Sequence, residues 1–166
     1  PRAPDIAANS YVLLDAQTGQ ILVEENADEP LPPASLTKIM TAYIAIEEII
    51  NGNLELTDKV HISEKAWRME GSKMFVDVNS QVSVEDLLRG IIIQSGNDAS
   101  VAISEHIAGS EEAFADMMNQ YSEVLGMKDS FFMNASGLDT ELYYNTMSAR
   151  DLSTLATATI QRHGQF

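Results

Sequence analysis

Residues 32–50, PPASLTKIMTAYIAIEEII, constrain the fold more than any other stretch of the chain. From residue 39 to residue 50 the run is apolar, with charges only at Glu47 and Glu48. A helix so apolar belongs in the interior, and it is too short to cross a bilayer. Pro30, Pro32 and Pro33 end any regular structure before it, and Asn51-Gly52-Asn53 stops it. Yet Ser35 and Lys38 stand in its first turn, one helical turn apart and on one face, with no acid preceding the lysine there.

That pairing has a chemical use. A serine hydroxyl is a weak nucleophile until a base takes its proton. A lysine serves as that base once its amine is neutral, and burial or a second cation brings its pKa toward 7 or 8. The first-turn N–H groups and the positive helix end favour the negative charge that an attack would generate. The plain alternative is a serine N-cap followed by a surface lysine, and S-x-x-K is common by chance. Ser95-Gly96-Asn97 is a second candidate. It breaks two apolar helices, where polar side chains can be aimed into a cleft. Serine can relay a proton, and asparagine carries both donor and acceptor for an amine or a substrate amide. An ordinary glycine-centred turn, with a helix starting near Asp98, explains it equally well.

The other elements read more simply. Residues 11–14 and 20–23 form a hairpin turned by Asp15, Thr18 and Gly19. KVHI is a short strand, Ser63 caps a short helix carrying Trp67, and SKMFVDVNSQV alternates as a further hairpin arm. Ser83 and Asp86 form a capping box for a helix over residues 84–93. A helix over residues 99–108 follows. Ser110 caps another that ends near Gly126, and Ser148 with Asp151 opens one that runs to about Gln161. The reading is a single helix-rich α+β domain over residues 1–166, with a hairpin at about 10–24 and helices over about 34–161.

Composition removes other functions. A net charge of −15 argues against nucleic acid and anionic membrane surfaces. With no cysteine there is no thiol chemistry, disulfide or thiolate metal site. His61, His106 and His163 lack metal-binding spacing and read as surface or satisfied histidines, so no metal or cofactor is expected. Glu47/Glu48 and Glu111/Glu112 are adjacent pairs, which point in different directions and do not suggest a shared carboxylate site. Met117, Met118 and the methionines from 127 to 133 read as core filler. The sequence opens at Pro1 with no charged-then-apolar leader, which fits a chain whose export signal has been removed or never existed.

PPASLTKIMTAYIA, GIIIQSGNDASVAISEHIAGSEEAFADMMN and SGLD…SARDL together resemble the penicillin-recognising serine D-Ala-D-Ala carboxypeptidases, the low-molecular-mass penicillin-binding proteins. The resemblance runs from YVLLDAQTGQIL to SARDL. It implies a β-lactamase/transpeptidase-like fold of the α/β sandwich type. It implies an acylated nucleophile at Ser35, a general base at Lys38, and catalytic and substrate-binding roles for Ser95 and Asn97. It implies stem peptides of peptidoglycan as substrates, β-lactams as acylating ligands, and an exported protein at the periplasmic face of the bacterial inner membrane. The family's third motif, Lys-Thr-Gly, is not found: the lysines are 38, 59, 65, 73 and 128, and none begins it. The chain is therefore expected to be the front portion of a longer protein. The C-terminal strands and any membrane anchor would lie beyond it, and the residues in hand would be inactive alone. Tyr11–Leu14 would then be open to pair with another polypeptide. Two rivals stand beside this reading. One is a serine β-lactamase, for which Glu141 could position water, and the other is a non-catalytic cell-wall or β-lactam-binding module.

Overall fold

Side-chain caps decide where most helices begin. The structure, a computed structural model, describes residues 5–140 and 144–164. Helices α2 (Glu64–Arg68), α3 (Val84–Gln94), α5 (Glu111–Leu125) and α6 (Ala149–His163) each start at the serine expected from the sequence. Ser63, Ser83, Ser110 and Ser148 accept the N–H of Ala66, Asp86, Ala113 and Asp151 at 3.0–3.1 Å. Each such cap satisfies an N–H that the helix itself leaves orphaned, and contributes about 1 kcal/mol. The two acidic partners differ. Asp86 accepts from the Ser83 hydroxyl at 2.6 Å, whereas the Asp151 carboxylate turns away to Asp129 N–H and the Ser130 hydroxyl, both at 2.7 Å.

Helix α1 (Thr37–Ile50) follows a 3-10 turn over Ala34–Leu36 and is buried along most of its length. It stands between two apolar clusters, giving Ala45 to one and Met40, Tyr43 and Ile44 to the other. The first cluster gathers Val60, Ile62, Leu87, Ile91, Val101 and Ile103, and the second Phe114, Met118, Phe132 and Leu155. Helix α4 (Asn97–Ala108) is buried continuously from Asn97 to Ser104. Its alanines and serines let α2, α3 and α5 approach closely. The Ser100 and Ser104 hydroxyls are satisfied within the helix, on the carbonyls of Gly96 and Val101.

The hairpin pairs β1 (Tyr11–Leu14) with β2 (Ile21–Glu25), slightly later than the sequence suggested. Asp15 Oδ1 accepts the N–H groups of Gln17 and Thr18 and so fixes the turn. Among the described residues this sheet has two strands only, with α6 lying against β1. Leu13 and Leu22 remain more than half exposed, at 54% and 56%.

The second sheet pairs β3 (Lys59–His61) with β4 (Gln81–Ser83). Of the expected hairpin arm over residues 72–82 only Gln81 and Val82 pair as strand. The cause is Asp98, fully buried at the start of α4. Its carboxylate accepts the N–H groups of Met74, Phe75 and Val76 at 2.9–3.2 Å, so a distant side chain takes the donors a strand ladder would use. Phe75, one of these three, and Asn79 beyond them have φ of 64° and 60°, in the left-handed region where extended strands do not go. Replacing Asp98 by alanine leaves these amides without an acceptor and is expected to cost about 3 kcal/mol. Asp98→Asn, which keeps one acceptor oxygen, should cost less. Urea unfolding with an unchanged slope reads the loss, and an alanine variant as stable as wild type would refute this role.

Candidate active site

Ser35 does not cap a helix. The turn before α1 has no side-chain cap bond, and Ser35 sits exposed in the 3-10 turn. Ala34, just before it, has φ 47°, a strained conformation for a residue with a Cβ. Lys38, three residues on, is buried. Its Nζ lies 3.1 Å from Ser35 Oγ and donates to the Ser136 carbonyl at 2.7 Å. Burial lowers the amine from its ordinary value to about 8. Desolvation alone accounts for the shift, and the second cation that sequence reasoning entertained is not needed.

The Ser136 carbonyl belongs to a tightly held segment. The Asn145 carboxamide, fully buried, accepts the N–H groups of Met133 and Asn134 and donates to Thr37 Oγ1 at 3.1 Å. Thr41 Oγ1 donates to the Ala135 carbonyl at 2.7 Å. Gly137, at φ 77°, passes so close to the turn before α1 that a Cβ there would lie 1.8 Å from the Ala34 carbonyl oxygen. Ser136 and Gly137 stand in S-G-L-D, one of the stretches that carry the resemblance, but the sequence gives neither a role. A backbone carbonyl has no side-chain signature from which a role could be read.

Ser95 terminates α3 in the left-handed region at φ 54° and is half-buried. Asn97 is the first residue of α4 and buried. Its amide Nδ2 donates to the Glu70 carbonyl at 2.7 Å, and its backbone N–H to the Ser72 carbonyl. The structure thus bonds Ser35 directly to Lys38, while Asn97 bonds to residues 70–72. The two halves meet around Gly71, where a Cβ would lie 2.9 Å from Asn97 Nδ2 and 4.0 Å from Leu138, in the segment that bears Ser136. A cavity of about 420 Å³ opens there, lined by Lys65, Arg68, Glu70, Glu111, Ser136 and Leu138 among others.

The remaining candidates separate. His61 and His106 are exposed. His163 is buried, its Nε2 2.7 Å from Glu47 and its Nδ1 without a partner among the described residues. Glu47 also meets Arg162, while Glu48 accepts from Asn53. The pair Glu111/Glu112 departs from expectation: both carboxylates reach Lys65, at 3.0 and 2.9 Å. Glu111 points inward and Glu112 outward, and the long lysine bridges them. Burial works to lower the Lys65 pKa, but the bonds to Glu112 and Glu111 outweigh it and leave the amine above its usual value. Met118 and Met127 are core residues, and Met133 lines the cavity. Trp67 is partly exposed beside Arg68. Glu141 lies outside the described residues. No group of three His, Cys, Asp or Glu side chains converges as metal ligands would, among the described residues.

Residues 1–166 match the D-alanyl-D-alanine carboxypeptidase family along their whole length. The chain belongs to that family. It is 43% identical over 164 residues to the D-alanyl-D-alanine carboxypeptidase DacC of Escherichia coli, covering 95% of this chain and 40% of that protein. It is 44% identical over 149 residues to DacF of Bacillus subtilis, covering 90% of this chain and 38% of the other. Penicillin binding protein 5 from Haemophilus influenzae superposes with a TM-score of 0.94 at 42% identity, over 99% of this chain and 48% of that one. Penicillin-Binding Protein D2 from Listeria monocytogenes, in its ampicillin-bound form, gives 0.88 at 28%, over 99% and 66%. The architecture is the transpeptidase/β-lactamase fold of these proteins. The chain spans about 40% of the length of the curated relatives it matches.

Proposed function

We propose that the intact protein is a serine-type D-Ala-D-Ala carboxypeptidase acting on peptidoglycan stem peptides, exported to the periplasm, and acylated by β-lactams at the same residue. The observation that carries this reading is the 3.1 Å approach of exposed Ser35 Oγ to a buried lysine amine. In this scheme Ser35 Oγ attacks the penultimate D-Ala carbonyl as its proton passes to neutral Lys38. The resulting ammonium returns that proton to the leaving amine as the peptide C–N bond breaks, and free D-Ala departs. An ester on Ser35 remains. Water adds to its carbonyl, Lys38 takes the water proton and Ser35 regains it, freeing the trimmed peptide. Ser95 takes the role of proton relay and the Asn97 carbonyl oxygen that of orienting the substrate amide, the roles that the family resemblance implies. The segment 134–138 excludes water from the amine, and this keeps it a usable base near neutrality.

The test is the pH dependence of acylation by a fluorescent penicillin, with D-Ala release measured alongside. The reactive form is the neutral amine, so the rate rises with pH and levels off above about 8, the value set by burial. A flat profile between pH 6 and 9 would remove Lys38 as the base. Rapid turnover of a chromogenic cephalosporin would instead make the protein a β-lactamase. Peptide binding without release of D-Ala would make it a binding module.

A further inference from the structure

Glu111 is a buried carboxylate that the scheme above does not use. It opens α5, and its Oε1 accepts the Ala135 N–H at 3.1 Å while its Oε2 pairs with Lys65. The next residue, Ser136, carries the carbonyl that meets Lys38. Every peptide plane around that carbonyl is pinned. The Asn134 carbonyl accepts from Asn145, the Ala135 N–H goes to Glu111, the Ala135 carbonyl to Thr41, and the Gly137 N–H to Asn134 Oδ1 at 2.7 Å. Of these pins only Glu111 carries a negative charge. A charge-assisted bond from a buried acid is stronger than its neutral neighbours. It also comes from α5, which carries none of the reacting groups. A buried carboxylate that lost this bond would be strongly penalised, so the geometry is held from both sides.

We propose that Glu111 is a positioning residue for the reaction: through the Ala135 N–H it holds the Ser136 carbonyl against Lys38 and keeps the segment closed over the amine. Lys65 of α2 and Glu112 of α5 are the charged groups that face Glu111, and Lys65 balances its charge. Lys38 has no ion-pair partner among the described residues, and burial alone accounts for its lowered amine. The proposal rests on the carboxypeptidase reading, and its test is arranged so that the two can fail separately.

In the intact protein, Glu111→Gln retains an acceptor oxygen for Ala135 and should acylate within about threefold of wild type, with an unchanged pH profile. Glu111→Ala frees the segment and admits water to Lys38. Its acylation should fall roughly ten- to a hundredfold in the folded fraction, and the profile should move upward from about 8 toward an ordinary lysine. A purely structural role would lower the folded fraction without moving the profile. An alanine variant with unchanged rate and profile overturns the proposal. A glutamine variant as impaired as alanine also overturns it, because the essential contact would then be with Lys65. If wild type is not acylated at Ser35, the functional reading fails but positioning is still judged. Amide exchange at Ala135, and the pH dependence of Lys38 modification by acetic anhydride, should both change in Glu111→Ala. If neither changes, the proposal is wrong.

Discussion

Replacing Ser35 by alanine in the intact protein should abolish covalent labelling by a fluorescent penicillin while leaving the fold intact. Loss of the nucleophile should take labelling below roughly a thousandth of wild type. The structural reason for an intact fold is specific. Ser35 is exposed and caps nothing, and among the described residues its hydroxyl is bonded only to Lys38. Lys38 keeps the Ser136 carbonyl in the variant. The expected change in stability is therefore within about 1 kcal/mol. Gel fluorescence measures labelling, and mass spectrometry of the digested adduct places it. An adduct on Ser95, or labelling that survives the substitution, would show that the role has been given to the wrong residue.

The second large effect is expected for Lys38→Arg. The substitution keeps a positive charge and a long side chain, but a guanidinium does not lose its proton near neutral pH. Acylation should fall on the order of a thousandfold, the scale of removing a general base. The buried position makes the control important. An arginine forced into the space of Lys38 must be tolerated as a buried cation, so thermal unfolding has to be followed and the rate referred to the folded fraction. A folded variant that acylates close to the wild-type rate would eliminate Lys38 as the base. Failure of the arginine variant while a Lys38→Met variant stays active would count against the amine altogether.

What was legible in the sequence was what depends on near neighbours. Ser63, Ser83, Ser110 and Ser148 each cap a helix by bonding three residues along the chain. Asp15 and Gly19 turn the hairpin within five residues. Ser35 and Lys38 are close because a helical turn makes them so. What was hidden depends on residues far apart. The amides of residues 74–76 are diverted by a carboxylate more than twenty positions on, and strand-like alternation cannot register that. The Ser136 carbonyl comes to Lys38 from 98 residues away, as a backbone group with no identity of its own. Asn97 was recognised as a candidate, but not that Glu70 would occupy one of its amide hydrogens. Glu111 and Glu112 were judged by the directions of adjacent helical residues, and a lysine on another helix was able to join them.

The close passage of Gly137 beneath Ala34 bears on how the site behaves as it fluctuates. The backbone that presents the nucleophile and the backbone that receives the base are in van der Waals contact, with no side chain between them. A displacement of one is handed directly to the other. The quantity that matters for proton transfer is the separation between hydroxyl and amine, and this can stay narrow while both wander together. The turn bearing Ser35 and the segment bearing the Ser136 carbonyl are thereby coupled as closely packed backbone, so that neither shifts without the other.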